Sequence, residues 1–360
     1  MVQDFLIIGG GIAGISAAAR LSHLGHVTVL EAESAPGYHA SGRSAATYEE
    51  FYGLPPVIAL TQASKSYLQS GNGGVLSPRG MMIVAGAQDH GTFLHDAAAM
   101  HLAQISLAEA RAMVPILNPQ TVAFAAFGAS AQDIDTDRLL QNFARELRAN
   151  GGQIISSARV SAIRRTRAGW QVDSAKGTHA AAMLVNAAGA WVDQIATLAG
   201  IEPLGFTPYR RSMARIPAPG GHDVSRWPMM FGPGESWYAK PDAGALLVSP
   251  AEEHLMEPHD AFADDMVLAE GLARYEDMVT EPVTRLLSNW AGLRTFAPDR
   301  CLVIGAAPQD PAFFWLAGQG GYGFQTAPAA SQLVADLVAG RPSELGADLV
   351  AALSPARLIA

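Results

Sequence analysis

Asp4-Phe5-Leu6-Ile7-Ile8-Gly9-Gly10-Gly11-Ile12-Ala13-Gly14, continuing to Glu31 and Gly37, is the stretch from which the fold can be read. Phe5 to Ile8 is a short apolar run without helical punctuation, as expected for a strand buried on both faces of a parallel sheet. Gly9, Gly11 and Gly14 stand in G-x-G-x-x-G spacing, around Ala13. In that order they serve a tight turn, close backbone approach to a pyrophosphate, and close packing of helix on strand. The helix expected over 15–24 would turn its free N–H groups and partial positive charge toward the pyrophosphate, and Gly25 would end it. A second strand, His26 to Leu30, places Glu31 at its carboxyl end, where a carboxylate accepts hydrogen bonds from ribose hydroxyls and repels a 2′-phosphate. The segment therefore holds a dinucleotide other than NADP.

At 360 residues the chain can bury a large core and is expected to form two domains. The residue pattern assigns 1–75, 130–200 and 295–360 to a discontinuous nucleotide-binding domain, and 76–129 with 201–294 to a substrate-binding domain. The fold class is α/β: a Rossmann-like domain beside a second, mostly antiparallel sheet domain of α+β character. With 49% hydrophobic and 16% charged residues, the composition is that of a globular protein. A net charge of −9 offers no electrostatic footprint for nucleic acid. The single cysteine, Cys301, forbids an internal disulfide and fits a reducing compartment. The N-terminal stretch lacks a basic segment and is broken by glycines, and no run of 18 apolar residues occurs, so a cytoplasmic protein with no integral membrane segment is expected.

Beyond the first unit, Pro55 introduces a helix to about Leu68, Gly80 to Ala85 reads as a strand, and 91–113 is alanine-rich and helical in pattern. Asp133-Ile134-Asp135-Thr136-Asp137 precedes a helix capped by Asp135 or Thr136; it lacks the glycine and distal glutamate of a calcium loop. Ala182 to Ala187 is an unbroken apolar strand, and the small residues after it, including Gly189, allow backbone to lie against a cofactor. From Pro203 to about Asn289, short alternating runs such as Leu246 to Ser249 suggest antiparallel strands. The α/β pattern returns with Leu302 to Gly305, Phe313 to Ala317, the turn Gly318 to Gly323, and a helix from about Thr326 to Leu337. His90 with His95, and His254 with His259, have no metal-ligand spacing, so no metal is expected.

Five blocks of the chain resemble the FAD-dependent D-amino acid oxidase and dehydrogenase family, which includes glycine and sarcosine oxidases. They are Gly37 to Ala46, Asp133 to Asp137, Val185 to Trp191, Trp290 to Arg294, and Gln319 to Gly323. The nearest likeness is to its bacterial D-arginine dehydrogenase branch, and the resemblance runs from Val2 to about Arg357. The extension Glu31 to Gly37 is similar to the FAD form of the nucleotide fingerprint. The resemblance implies non-covalent FAD, with adenosine near Glu31, Ala32 and Val160. It implies flavin and pyrophosphate along Ala40, Ser41, Gly42, Arg43, Ser44, Ala45, Ala46 and Thr47, and a ring edge near Gly320, Gly321, Tyr322, Gly323, Phe324 and Gln325. Cys301 is not at the tethering position of covalent relatives and is expected in the core.

The implied reaction removes a hydride from the Cα of a D-amino acid and yields an imino acid that hydrolyses to a 2-oxo acid and ammonia. Electrons would pass on to a quinone or to O2. Arg211 and Arg294 fall at the family's carboxylate-binding positions, with Tyr52 and Tyr238 as hydroxyl partners and the Gly321 carbonyl accepting from the substrate amine. Arginine suits that task because it grips a carboxylate through two parallel hydrogen bonds. Arg210 is read as the solvated member of its pair, and the residues alone leave open that it exchanges roles with Arg211, that Arg211 and Arg294 are surface or inter-domain ion pairs, and that both tyrosines are half-buried sheet or lid aromatics. Where the arginine-specific branch has a glutamate this chain has Gly80, and where it has a histidine this chain has Thr47. Glycine at 80 leaves space, and with Met81, Met229, Phe231 and Phe324 it is expected to form an apolar side-chain pocket for a larger uncharged D-amino acid or an N-substituted one, making D-arginine and D-lysine poor substrates. Oxidation of glycine or sarcosine by O2, oxidation of a 2-hydroxy acid, and a flavin-containing binding module are the alternatives.

Overall fold

The computed structural model describes residues 3–359; residues 1, 2 and 360, at the outer ends of the expected nucleotide-binding segments, lie outside that range. Gln3–Ile8 lies between Val27–Leu30 and Gly177–Asn186, parallel to both. Gln153–Ile155 extends the parallel array on one side and Asp310–Ala317 on the other. Val303–Ala307 closes that edge antiparallel. The ten-residue strand Gly177–Asn186 splits its pairing. Its first half joins Gly169–Ser174 antiparallel, and its second half joins Asp310–Ala317.

The first strand is buried on both faces. Phe5 and Ile7 join a core with Ile15, Phe143 and Val334 from helices on one side of the sheet. Leu6 and Ile8 join a second core with Trp170, Phe313 and Trp315 on the other. Such alternation is how a parallel strand reads as a continuous apolar run. Helix Ile12–Leu21 begins three residues earlier than the expected range, because Gly11 already acts as its N-cap, and it carries no acid in its first turn. Its first amides thus keep their positive potential. Helices Thr136–Ala149 and Gly323–Val338 pack against it. The Asp135 side chain accepts from Arg138 N at 2.9 Å and caps the former.

A second, mixed sheet of nine strands carries the order 254–255, 207–217, 245–249, 238–242, 229–231, 81–85, 124–128, 103–105, with Ser288–Phe296 also paired to 207–217. Only the pairing of Met229–Phe231 with Met81–Ala85 is parallel. Strand Ser288–Phe296 runs through the expected domain boundary at residues 294 and 295. A small sheet pairs Leu76–Pro78, from the expected substrate-binding segments, with Gln132–Ile134 and through it Thr47–Tyr48, from the nucleotide-binding ones.

The alanine-rich segment 91–113 is two helices, His90–Ala99 and Leu107–Met113, separated by strand Ala103–Ile105. That strand pairs with Phe124–Gly128 at the sheet edge, and sheet pairing outweighs the helical propensity of the segment. Among the described residues no helix is long and apolar enough to cross a membrane. Cys301 is buried, and burial pushes its thiol pKa up.

Candidate active site

The first parallel strand and the Gly9–Gly14 turn open onto a cleft of about 230 Å³ lined by Glu31, Ala32, Ser41, Val160 and Gly189. Each glycine has its own packing reason. A Cβ on Gly14 would sit 1.9 Å from the Gly9 carbonyl oxygen, and one on Gly9 would sit 2.3 Å from that of Ala187. A Cβ on Gly189 would meet nothing within 4 Å, so that backbone faces open cleft. Glu31 is buried with its carboxylate fixed by Gly10 N at 2.7 Å and Glu33 N at 2.8 Å, leaving lone pairs for a diol. Ser41 Oγ accepts from Ile12 N at 3.0 Å and ties the Ala40–Arg43 turn to the helix start.

A second cavity continues this cleft past Ala40, Arg43, Ser44, Ala45 and Thr47 to Gly320, Gly321, Gly323, Phe324 and Gln325. Three buried polar atoms of its lining, Thr295 Oγ1, Gln319 Nε2 and Gln325 Nε2, have no protein partner among the described residues. Orphaned groups of this kind need a polar ligand to satisfy them. Helix Gly323–Val338 adds an N-terminus free of acids at the same end. An extended dinucleotide with a hydrogen-bonding ring system fits this donor set.

Residues 4–337 match the family model described as FAD dependent oxidoreductase, DAO. The chain belongs to the DAO family of FAD-dependent oxidoreductases. Within this family it is 24% identical to FAD-dependent oxidoreductase domain-containing protein 1 of Bos taurus over 400 residues, covering 93% of this chain and 81% of the relative. It is 30% identical to the L-2-hydroxyglutarate dehydrogenase of Salmonella houtenae over 236 residues, covering 60% of this chain and 54% of that protein. Glycine oxidase from Geobacillus kaustophilus has the same fold, with a TM-score of 0.83 at 21% identity over 99% of both chains. The protein is thus an FAD enzyme of the DAO family, whose relatives act on amines or hydroxy acids.

The substrate end lies beyond the ring-side cavity. Strand parity brings its arginines together: Tyr209 pairs with Arg294 across the strands, so Arg211, two residues on, shares the face of Arg294. Arg294 lines the ring-side cavity, an inner pocket of about 80 Å³ and an outer chamber of about 390 Å³. Among the described residues it makes no ion pair or hydrogen bond. Burial alone would lower its pKa, but Tyr52, Tyr238 and Glu235 around it raise it above the ordinary value, so it stays cationic. Gly321 lets the guanidinium in, since a Cβ there would lie 3.0 Å from Arg294 Nη1.

Arg211 is placed differently. It is 8% exposed, and its Nη2 lies 3.3 Å from Glu253 and its Nη1 3.9 Å from Glu235. Burial and then the Arg294 charge lower its pKa. Arg210 is not a solvated neighbour, as the sequence suggests, but equally buried, facing Glu252, His254 and Asp264. Tyr52 donates to Glu235 Oε2 at 3.0 Å; burial first, then Glu235, pushes its phenol pKa up and keeps it a donor.

Met81, Met229, Phe231, Ala46 and Tyr238 line the inner pocket. Gly80 does not. Its backbone has φ +73°, and a Cβ would meet the Phe127 ring at 2.8 Å, so it serves a turn and a close packing contact. Phe324 faces the ring-side cavity, Tyr322 the outer chamber, and Gly42 is packed under Gly37 O. Two residues escape sequence reasoning. Glu235 supplies a carboxylate to the pocket wall where Gly80 implies none. Lys240 is buried, pairs with Asp133 at 2.8 Å and donates to the Ala45 and Ala46 carbonyls, pinning the ring-side loop. An acidic residue after a Pro-Gly turn and a lysine in an apolar strand are the available signals.

Proposed function

We propose that this enzyme oxidises the C–N bond of a D-amino acid with an uncharged, small to medium aliphatic side chain. The observation that carries the reading is Arg294: a cation without a protein partner among the described residues, at the junction of the ring-side cavity, the apolar pocket and the outer chamber. A half-buried guanidinium that opens onto three cavities and has no counter-charge in contact among the described residues calls for a carboxylate ligand. Bound FAD would supply the acceptor for the hydride that leaves Cα. Arg294 fixes the carboxylate, Tyr238 and the Gly321 carbonyl border the amine, and Met81, Met229 and Phe231 surround the side chain. Glu31, Ser41 and the Gly9–Gly14 backbone would hold the cofactor at the other end. The imino acid then hydrolyses in water to a 2-oxo acid and ammonia.

The inner pocket, at about 80 Å³, is roughly half the volume of a cavity of about 150 Å³ that admits benzene, which favours aliphatic over aromatic side chains. Poor turnover of D-arginine follows from that size and not from the lack of a carboxylate, since Glu235 is present. The choice of the D series rests on the resemblance of the five sequence blocks. A 2-hydroxy acid is the second reading, favoured by the similarity to L-2-hydroxyglutarate dehydrogenase. A hydroxyl must lose its proton to a base, whereas an amine can bind neutral; among the described residues the inner pocket holds no histidine or lysine, and its carboxylates are Glu49 and Glu235, the latter engaged by Tyr52. Anaerobic titration of the holoenzyme with D-, L- and N-methyl amino acids and with 2-hydroxy acids tests both readings. Bleaching of the flavin by D-alanine, D-valine or D-leucine is expected, and faster bleaching by a hydroxy acid would overturn the proposal. Stopped-flow mixing of the reduced enzyme with O2 separates oxidase from quinone-coupled dehydrogenase.

A further inference from the structure

Glu235 stands where the inner pocket meets the outer chamber, a junction it shares with Tyr52, Met100 and Arg294. It ends the turn Pro233–Glu235 with φ +52°, a left-handed conformation that residues with a Cβ adopt reluctantly. The turn is held there. Asp96 accepts from Gly234 N at 2.7 Å, Trp237 O accepts from Gly232 N at 3.0 Å, and Tyr52 donates to the Glu235 carboxylate. A strained residue kept in place by three contacts at a cavity junction invites a functional explanation.

The charges supply it. Six charged side chains line the outer chamber: Arg211, Arg294 and Arg300 against Asp96, Glu235 and Glu253. Arg300 is held by both oxygens of Glu253 at 2.9 Å. Arg211 faces Glu253 and Glu235, yet its Nε and Nη1 have no hydrogen-bond partner among the described residues. Of the three arginines, Arg294 alone is unpaired among the described residues. Three cations balanced by three anions match a zwitterion, and leave any second carboxylate uncompensated.

We propose that Glu235 determines specificity by neutralising Arg211, so that one guanidinium remains to hold a carboxylate and ligands bearing two carboxylates are rejected. The identity of the substrate rests on the amino-acid reading above, but the charge selection applies to any carboxylate ligand. Glu235→Gln keeps the side-chain shape and the acceptor for Tyr52, removes the charge, and releases Arg211 for a second carboxylate.

The test uses FAD-loaded wild type and E235Q, titrated with the redox-inert propionate and succinate and followed by the change in flavin absorbance. Wild type should bind propionate more tightly than succinate. In E235Q the Kd for succinate should fall by about tenfold, while that for propionate should change by less than about threefold, as expected for one newly available charge-assisted contact. Glu253→Gln, which removes the carboxylate that Arg211 shares with Arg300 and leaves Glu235 in place, should shift succinate in the same direction. Equal shifts for the two ligands, no shift in either variant, or tighter succinate binding by wild type would overturn the proposal. Failure of every amino acid to bleach the flavin would remove the amino-acid reading, while the two-ligand titrations would still decide the charge selection.

Discussion

The dinucleotide cleft and the substrate chamber share Arg294 and Gly321 at their border, but they are made of different material. The cleft draws on short contiguous segments rich in small residues: Gly9 to Ala13, Ala40 to Ala45, and Gly189. The chamber is largely side chains, brought together from Tyr52, Asp96, Arg211, Glu235, Glu253 and Arg294. A backbone site is intolerant of an added Cβ where its glycines pack against backbone, as Gly9 and Gly14 do, and less sensitive to substitutions elsewhere. A side-chain site can be retuned one residue at a time without loss of the cofactor.

The largest effect expected from this contrast is on the cleft. Gly14→Val would drive a side chain into the Gly9 carbonyl, so the purified variant should be colourless and carry no FAD; a yellow protein with one FAD per chain would break the comparison. Next comes the border. Arg294→Met should keep its flavin spectrum yet lose about a thousandfold in kcat/KM, equivalent to about 4 kcal/mol, measured by flavin reduction at varied substrate. Loss of FAD in that variant would show that the two regions are not separable. Lys240→Met takes one of two cations from Asp133, which keeps Arg79 at 2.8 Å, and unpins the Ala45 and Ala46 carbonyls; it should destabilise the holoprotein by about 2 kcal/mol, seen as a lower Tm with its flavin still bound at 25 °C. Tyr52→Phe removes the donor to Glu235 and should change kcat/KM by about tenfold with the flavin spectrum intact.

The smallest effect concerns Glu49, on the chamber side of the border, where Gln325 Oε1 accepts from its amide. Burial is the main cause that holds its carboxyl above the usual carboxylate range. The folded state therefore binds this proton more tightly than the unfolded chain does. Its contribution to stability is complete below the unfolded pKa of about 4.3 and is lost as the pH rises through the raised folded value. Glu49→Gln stays neutral, so denaturation between pH 4 and 8 should show the variant gaining on wild type as the pH rises. A pH-independent difference would mean that Glu49 does not change its charge in the folded protein over this range.

Much of the cleft is legible in the sequence because its signals are local. The strand Gln3–Ile8, the turn Gly9 to Gly14 and Glu31 all fall within about thirty residues, and a glycine spacing maps directly onto backbone geometry. The chamber is legible only in part. Arg211 and Arg294 are found through resemblance, but that Arg211 is engaged by Glu235 and Glu253 depends on segments more than twenty residues away in sequence. Gly80 misleads for the complementary reason: a missing side chain reads as space, whereas here the Phe127 ring fills it. Arg210 reads as solvated because a strand with cations on alternate faces looks half exposed until both faces are covered.

By itself the sequence determined that the chain begins its described structure with a strand, a glycine turn and a helix poised for a pyrophosphate, followed by an acid for a ribose. It did so because hydrogen bonding, glycine geometry and the helix terminus act between near neighbours. Only the tertiary structure decided which arginine is free, where the pocket's carboxylate comes from, and how much room the side chain has. Those properties are differences between opposing charges and packed volumes contributed by distant segments, and they take a value only once the chain has brought those segments together.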